Sequence, residues 1–567
     1  MFNKYFHSVF INDDLDPLPN DIVRTRDARL LSVTFDKEKV ENILKKLDTS
    51  KAMGPDNISA WILRQCAAEL AESLAILFQR SMDEGELPEE WRTANIVPIH
   101  KKGDKTEVSN YRPVSLLCIA SKIMERIIAD STFPVLKDQV YDLQHGFLKG
   151  CSTTTQLLDY FQEIGETLDE TGQTDIIYLD FAKAFDTVSH RHLIAKLESF
   201  GLADNLLNWM KAYLHGRHQR VLVEGEVSNW LPVVSGVPQG SILGPLLFIL
   251  FINDLPRSAR NSRVALFADD AKCCRKITTI EDCRLLQQDL TRIIEWSKTW
   301  KMKFNAGKCQ VLSVTRKAHK IVYNYTINGT NLEQVSSIKD LGVIINTSLT
   351  WDKHIENIIN KTYRKLGMIK RSMGYHSPRE TLLALYKTLV RSTLDYASQV
   401  WSPWQINQIE ALERVQRRFT KYILNYPEMD YVQRLIELGL LPLSYRREIM
   451  DLTLYFKCRM GKGNNQLLVH TKTTPHCKTR RTSTMGATLY RGNCNSETFL
   501  HSFFNRLVPI WNNLPLQVRT SKSVAEFKSR IQAHYESRLA NNFCIDNVCT
   551  WRTSCSCEVC RCRNLTK

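Results

Sequence analysis

Two acid-terminated strand segments constrain the fold of this chain more than any other feature of its sequence. The run 174–185 (TDIIYLDFAKAF) begins as an apolar strand and carries Asp180 at its far end. The run 263–270 (RVALFADD) begins as a second strand and ends in the adjacent acids Asp269 and Asp270. Carboxylates that follow neighbouring strands can together hold divalent magnesium, which prefers oxygen ligands. Spacing alone leaves open the alternative of ordinary turns, because Asp is common in turns.

Strands and helices alternate on both sides of these two segments. We predict further strands over 95–104 (running into a basic turn), 219–225, 230–236 and 309–315. We predict helices over 120–128, 189–200 and 280–299, and beyond about residue 346 over 354–373, 378–396 and 405–424. This pattern indicates an α/β or α+β unit followed by a helical region. The most apolar run, Pro245–Ile252, is far shorter than the roughly 20 residues that cross a bilayer, so we predict a buried helix there.

The charge of the chain indicates a polyanionic partner, nucleic acid first. The formal net charge is +16 over 567 residues, a length that suggests several domains or subdomains. The helix predicted over 405–424 carries Arg414, Arg418 and Lys421 on one face, and Phe419 and Tyr422 interleave with them. Such a face is either simply solvated or a groove that follows a nucleic-acid backbone.

The N-terminal residues and the cysteines bear on the compartment. The first residues lack the apolar segment of a signal peptide, and the 16 cysteines of a chain without one indicate reduced thiols. We therefore expect a cytoplasmic or nuclear protein that is not secreted and has no transmembrane segment. Cys557 and Cys560 form a C-x-x-C pair in a Cys-rich tail, where a zinc site and uncommitted thiols are the two alternatives.

Eight short motifs follow one another along the chain. They are IVPIHKKGDK (96–105), NYRPVSLL (110–117), QHGFLKGCST (144–153), YLDFAKAFDTVSH (178–190), SGVPQGSILGPLLF (235–248), LFADD (266–270), MKFNAGKC (302–309) and KDLGVIIN (339–346). Each motif is weak or moderate alone, but the ordered set closely resembles the reverse transcriptase of non-LTR (LINE-like) retrotransposons, nearest the jockey-like group. The resemblance covers at least residues 51–346.

The resemblance implies a right-hand polymerase fold of the α/β (α+β) class. An N-terminal leader (1–50) would precede a reverse transcriptase domain at 80–345, with fingers at about 51–170 and a palm with a mixed/antiparallel sheet at about 171–345. A helical thumb (346–440) and a basic, helical C-terminal region with the Cys-rich tail (441–567) would follow. Jockey-like proteins usually carry an endonuclease before the polymerase. Because this chain starts inside the polymerase leader, we expect it to lack that domain.

The resemblance also implies the metal site and the catalytic groups. Asp180 and Asp269 would be the main ligands of two Mg²⁺ ions, with Mn²⁺ as the alternative ion, because paired ions suit nucleotidyl transfer. Asp270 would be a secondary ligand or a positioning group. Lys308 would protonate the pyrophosphate leaving group, although a Lys-Cys pair before a strand is also unremarkable.

Substrate contacts are implied in the same way. The residues expected to bind the dNTP are Lys101, Lys102, Arg112, Phe185, Gln239 and Gly240. Within this set the three cations would neutralise the triphosphate, and Phe185 would exclude a ribose 2′-hydroxyl unless it is a core aromatic. The residues expected to touch the template are Gln144, Gly146 and Phe147. Asp186 is less clear, because the segment from Asp186 to Ser189 could simply cap the next helix.

Together the motifs imply an RNA-directed DNA polymerase that extends a primer 3′-hydroxyl on an RNA template. The expected partners are template RNA, a DNA primer, dNTPs and the element's own RNA in a ribonucleoprotein, with no membrane. A truncated, decayed or domesticated copy that only binds RNA is the first alternative. An RNA-dependent RNA polymerase is the second, which Phe185 disfavours. A group II intron maturase is a closer relative, but LDYASQVW (394–401) and PIWNNLP (509–515) favour the retrotransposon.

Overall fold

The computed structural model describes most of the chain in one continuous range and several shorter ones. The described residues are 1–12, 18–19, 30, 32–374, 377–426, 428–473 and 488–540. The Cys-rich tail, including the C-x-x-C pair of Cys557 and Cys560, lies outside them, as does part of the predicted N-terminal leader.

Helices and strands alternate up to about residue 346, and helices dominate beyond it, in agreement with the predicted pattern. The helices are α1 (Phe2–Ser8), α2 (Lys37–Lys45), α3 (Ala60–Gln65), α4 (Ala67–Glu84), α5 (Ile119–Leu136), α6 (Thr153–Asp169), α7 (His190–Ser199), α8 (Asp204–Leu214), α9 (Leu243–Ile252), α10 (Ile280–Thr299), α11 (Asp352–Met373), α12 (Arg379–Leu385), α13 (Ser392–Asp395), α14 (Ser398–Trp401), α15 (Ile406–Leu424), α16 (Tyr431–Glu437), α17 (Leu443–Arg459), α18 (Glu497–Leu500), α19 (Phe503–Asn512), α20 (Leu516–Arg519) and α21 (Val524–Ala540). The strands are β1 (Thr93–His100), β2 (Tyr111–Leu116), β3 (Gln173–Leu179), β4 (Arg217–Val223), β5 (Glu226–Val227), β6 (Leu231–Val233), β7 (Arg263–Phe267), β8 (Asp270–Ile277), β9 (Gln310–Thr315), β10 (Thr326–Ile327), β11 (Thr330–Asn331), β12 (Glu333–Gln334), β13 (Ser337–Asp340), β14 (Val343–Asn346), β15 (Lys472–Thr473) and β16 (Leu489–Tyr490).

A five-stranded sheet carries both acid-terminated strands. Its order is β12-β9-β3-β8-β7. β3 lies antiparallel to β8 on one side and to β9 on the other, and β7 forms an antiparallel hairpin with β8. The predicted mixed α/β class with a mixed/antiparallel sheet is therefore confirmed. We call this sheet the palm sheet.

Successive residues of the palm strands alternate between two hydrophobic cores, because neighbouring side chains of a strand point to opposite faces. On β3 and β8, Ile177 and Cys273 belong to a first core shared with α2, α4, α5 and α7–α10. Ile176 and Cys274 belong to a second core shared with α6 and the helices that follow residue 350. Both faces of the sheet are thus buried, and the polar residues that begin β3 (Gln173, Thr174 and Asp175) are buried as well.

A second sheet is built around β1 and includes β2, β4, β5 and β6. β1 pairs with β2 in an antiparallel hairpin and with β4 in parallel. Helix α1 covers this sheet, where Phe6 joins Ile96 and Val221 in a small separate core. The hairpin positions the basic turn after β1, since Ile99 lies opposite Arg112.

The helices after residue 350 continue the second core without a break at residue 440. Phe419 of α15, Leu452 of α17 and Ile531 of α21 are all fully buried in it. The helix predicted over 378–396 contains a π-helical turn at Tyr386–Arg391.

The cations of the predicted basic face of α15 are exposed, but the two aromatic residues do not lie among them. Arg414, Arg418 and Lys421 are exposed. Phe419 and Tyr422 are buried in the core rather than interleaved with these cations at the surface, because their positions on the helix face α11 and the second core. Among the described helices, none has both the length and the hydropathy that a membrane span requires.

A buried ion pair between α17 and α19 gives the first prediction. Arg506 Nε and NH2 lie 2.9 Å and 3.2 Å from the two carboxylate oxygens of Asp451. We expect Arg506→Met to lower the free energy of unfolding by about 3–5 kcal/mol, because it leaves the Asp451 charge buried without its partner. The exposed pair Lys37–Glu72 provides the control, and Lys37→Met should cost less than about 1 kcal/mol. Urea unfolding measures both, and equal losses would contradict the prediction.

Candidate active site

The register of the palm sheet brings the three predicted acids together. Leu179 of β3 pairs with Ala271 of β8, so Asp180 leaves β3 opposite Asp270. Phe267 pairs with Asp270 across the β7–β8 hairpin, which leaves Ala268 and Asp269 as its two-residue turn. Ala268 has a φ of 54°, a left-handed conformation that a two-residue hairpin turn requires. Asp269 therefore lies at the tip of the turn, beside the end of β3.

Burial and nearby carboxylates raise the pKa of Asp269 and of Asp270. Desolvation raises the pKa of Asp269, and the charge of Asp180 adds to this rise while Arg112 and Lys101 oppose it. Desolvation also raises the pKa of Asp270 to about 6, with further contributions from the charges of Asp269 and Asp340. Crowded carboxylates of this kind are stabilised by a bound cation.

The donor set at this turn fits Mg²⁺. Carboxylate oxygens are the ligands that this ion prefers, and it usually retains waters and substrate phosphates in its shell. Within the described part of the chain, no group of three or more His, Cys, Asp and Glu side chains is arranged to hold a metal ion.

Three of the predicted cations face these acids. Lys308 Nζ lies 3.3 Å from Asp180 Oδ2. Desolvation lowers the pKa of Lys101, and the positive charges of Arg112 and Lys308 lower it further. Arg112 and Lys101 both act on Asp269, so all three cations lie within electrostatic reach of the turn. Lys102 is exposed beside Lys101.

The segment MKFNAGKC supports the loop that carries Asp180. The Asn305 N–H donates to the Asp180 carbonyl over 2.8 Å, and the Ala182 N–H donates to the Lys303 carbonyl over 2.8 Å. The Phe181 and Phe304 rings stack with centroids 4.3 Å apart. These contacts explain why Lys308, near the end of the same segment, lies against Asp180.

Phe185 is half-buried at the border of the first core. Its ring stacks on the Phe248 ring of α9, with centroids 4.4 Å apart and planes inclined by 16°. The exposed ring of Phe147 meets it edge-on with centroids 6.2 Å apart. One face of the Phe185 ring thus packs on the first core, and the ring also contacts the exposed Phe147.

Gln239 is held at both its main chain and its side chain. Its carbonyl accepts from the Ser115 N–H over 2.7 Å, and its Nε2 donates to Asp186 Oδ1 over 2.7 Å. Gly240 has a φ of 126°, and a Cβ there would lie 2.5 Å from the Ser115 carbonyl oxygen. The loop therefore needs glycine at this position to approach β2 closely.

The alternative in which the segment 186–189 caps the next helix is confirmed for Ser189 but does not hold for Asp186. The N-cap of α7 is Ser189, whose side chain accepts from the His192 N–H. Asp186 instead contacts Gln239, a pairing across 53 residues that the local sequence pattern did not indicate.

Of the three residues expected to touch the template, one is exposed. Phe147 is 61% exposed and has a φ of 56°. Gln144 is only 1% exposed, and its Oε1 accepts from the Gly146 N–H over 2.8 Å and the Ala268 N–H over 3.0 Å. The side chain of Gln144 therefore supports the Asp269 turn from the interior rather than from a surface that a template could reach.

Sequence reasoning missed a buried ion pair beneath Asp270. Lys272 Nζ lies 2.6 Å from Asp340 Oδ2, and both side chains are buried. The Tyr178 hydroxyl donates to the same oxygen over 3.3 Å. Lys272 shares a strand face with Asp270, because residues two apart point the same way, and that spacing was the available signal. Asp340 lies in the motif KDLGVIIN, whose contact with the palm requires the tertiary structure.

Gly146 gives a prediction about the turn. A Cβ at residue 146 would lie 2.3 Å from the Ala268 nitrogen, a distance that no packed structure accommodates without movement. We expect Gly146→Ala to lower the free energy of unfolding by about 1–3 kcal/mol through this overlap. At Gly307 the nearest atom is 3.7 Å away, so Gly307→Ala should stay within about 1 kcal/mol of wild type. Chemical denaturation measures the free energy of unfolding of both variants. A Gly146→Ala variant as stable as the wild type would refute the close contact.

A family comparison agrees with the geometry. Residues 99–345 match the family described as reverse transcriptase (RNA-dependent DNA polymerase). The palm sheet and its acids lie within this range, so the chain contains a reverse transcriptase domain with the expected right-hand polymerase fold.

Relatives of this domain come from mobile elements. The chain is 30% identical over 395 residues to the RNA-directed DNA polymerase from mobile element jockey of Drosophila melanogaster, covering 66% of this chain and 43% of the relative. It is 28% identical over 409 residues to the probable RNA-directed DNA polymerase from transposon BS of Drosophila melanogaster. This match covers 69% of this chain and 44% of the relative. It is also 28% identical over 402 residues to the probable RNA-directed DNA polymerase from transposon X-element of Drosophila melanogaster. This match covers 69% of this chain and 44% of the relative. The jockey-like resemblance is confirmed, and the chain spans less than half the length of these relatives.

Proposed function

We propose that this chain is an RNA-directed DNA polymerase that extends a primer 3′-hydroxyl with dNTPs on an RNA template. One observation carries the proposal: Asp180 and Asp269 converge with Lys101, Arg112 and Lys308 at one edge of the palm sheet. Acids that suit a divalent cation beside cations that suit a triphosphate are what nucleotidyl transfer requires.

Asp180 and Asp269 would hold two Mg²⁺ ions, or Mn²⁺ in their place, with Asp270 as a secondary ligand or positioning group. When bound, the ions supply a Lewis acid for the attacking hydroxyl and for the leaving oxygen. Because the carboxylates are held at the end of β3 and in a hairpin turn, they would keep the ions in a fixed geometry for in-line attack.

The cations would act on the triphosphate. Lys101 and Arg112 neutralise charge on the bound dNTP, and Lys102 adds to the field from the exposed turn. Lys308 has an ammonium group beside Asp180, from which it can give a proton to the departing pyrophosphate.

The remaining contacts concern the sugar and the strands. Phe185 would block a ribose 2′-hydroxyl with a ring braced on Phe248. Gln239 and Gly240 would lie against the incoming dNTP, and Phe147 would meet the template. The exposed Arg414, Arg418 and Lys421 would follow the phosphates of the template RNA and DNA primer, or of the element's own RNA in a ribonucleoprotein.

Asp269 provides the central test. We expect Asp269→Ala to reduce dNTP incorporation on a homopolymer RNA template with a DNA primer by at least about a hundredfold, because the preorganised carboxylate is lost. The exposed acid Asp83 on α4 provides the control, and Asp83→Ala should retain incorporation. No incorporation above background by either the wild-type protein or the Asp269→Ala variant would refute the polymerase. Tight RNA binding without incorporation would favour the binding-only alternative.

Phe185 tests sugar selection. Phe185→Val should raise the efficiency of NTP use relative to dNTP use by at least about tenfold, because a smaller side chain leaves space for the 2′-hydroxyl. Phe161→Leu, a change in the second core far from the nucleotide, should leave that ratio unchanged. A wild-type preference for NTPs would instead indicate an RNA-dependent RNA polymerase.

A further inference from the structure

Asp186 follows Phe185 directly and makes one side-chain contact that the proposed mechanism does not use. Its Oδ1 accepts from Gln239 Nε2 over 2.7 Å. Desolvation raises the pKa of Asp186 to about 6, which the bond from Gln239 and the charge of Lys183 partly oppose. At the mildly alkaline pH of a polymerase assay the carboxylate is therefore ionised.

An ionised carboxylate determines how a neighbouring amide is oriented. A carboxylate only accepts hydrogen bonds, whereas a Gln amide donates through Nε2 and accepts through Oε1. If the amide were turned over, Oε1 would face the Asp186 oxygen and two acceptors would meet. With Nε2 bound to Asp186, the Oε1 atom remains available to accept from another donor.

The main chains on both sides of this pair are also fixed. The Val237 N–H donates to the Phe185 carbonyl over 2.8 Å, and the Gly236 N–H donates to the Val188 carbonyl over 2.7 Å. The Ser235 hydroxyl donates to the Asp186 carbonyl over 2.8 Å. The loop that carries Gln239 is thus bonded along the segment that carries Phe185 and Asp186, so the carboxylate and the amide meet at a set distance.

We propose that Asp186 is a positioning residue that orients the Gln239 amide so that Oε1, and not Nε2, faces the incoming nucleotide. This inference rests on the proposed function. Gln239 then offers the nucleotide an acceptor, and it does not donate to phosphate or base oxygens. Because Asp186 acts through Gln239, its loss should weaken nucleotide binding more than it slows the chemical step.

The expected result is a split between KM and kcat. Asp186→Asn has the shape of Asp186 but can donate or accept, so it allows both amide orientations. We expect the KM for each of the four dNTPs to rise roughly tenfold, the size of one charge-assisted hydrogen bond, with kcat changed less than about twofold. Ser189→Ala provides a matched control in the same segment: losing the α7 N-cap should lower the thermal midpoint and leave KM unchanged.

A double-mutant cycle separates positioning from a merely structural role. In a Gln239→Ala background, Asp186→Asn should raise KM no further, because the amide through which Asp186 acts is gone. A second pair of variants exchanges the acid and the amide between positions 186 and 239. It tests the same idea even if one of the variants above does not fold. Gln239→Glu alone sets two carboxylates against each other, and adding Asp186→Asn restores a donor and acceptor, so the double variant should bind dNTPs more tightly than Gln239→Glu.

Three outcomes would overturn the inference. One is an Asp186→Asn variant with the wild-type KM, and another is an equal rise in KM with and without the Gln239 side chain. In both cases wild-type incorporation would leave the proposed polymerase standing. The third is a wild-type protein that neither incorporates dNTPs nor binds them in a fluorescence titration, which would remove the proposed function and the role of Asp186 together.

Discussion

The burial of the palm sheet on both faces is the constraint on which the rest of the structure depends. Neighbouring residues of β3 face different cores, with Ile177 in the first core and Ile176 in the second. A shift of register by one residue would exchange the two faces and unpack both cores. The register is therefore fixed, and it places Asp180 beside the turn that carries Asp269.

A fixed register does not by itself hold charged groups in a crowded turn. The interior supplies that support through Gln144, which binds the Ala268 nitrogen, and through the Lys272–Asp340 pair beneath Asp270. A buried ion pair adds little to stability when compared with apolar residues, but breaking it leaves an unpaired buried charge. These groups therefore make the arrangement around the acids specific. Asp340 also connects the acids to the β13–β14 hairpin, which precedes α11.

Much of the secondary structure could be predicted because its signals are local. The helix at 280–299 and the strand at 263–267 have the predicted bounds, and the strand at 309–315 starts one residue later, at Gln310. Apolar periodicity and capping residues determine such segments. The role of Gln144 could not be predicted, because one polar residue looks the same in sequence whether it faces a template or a buried turn. The predicted interleaving of Phe419 and Tyr422 with the cations of α15 was wrong for the same reason, because helical spacing does not say which face of a helix another helix covers.

The sequence by itself determined the reverse transcriptase domain and its acids, since the order of eight motifs and the two acid-terminated strands are properties of the chain. Tertiary structure alone decided which residues meet across long separations. It paired Asp186 with Gln239, placed Gln144 and Gly146 beneath the turn that carries Asp269, and joined the helices before and after residue 440 in one core. The physical reason is that strand patterns and caps act within a few residues, whereas burial and hydrogen bonding depend on what the folded chain brings alongside.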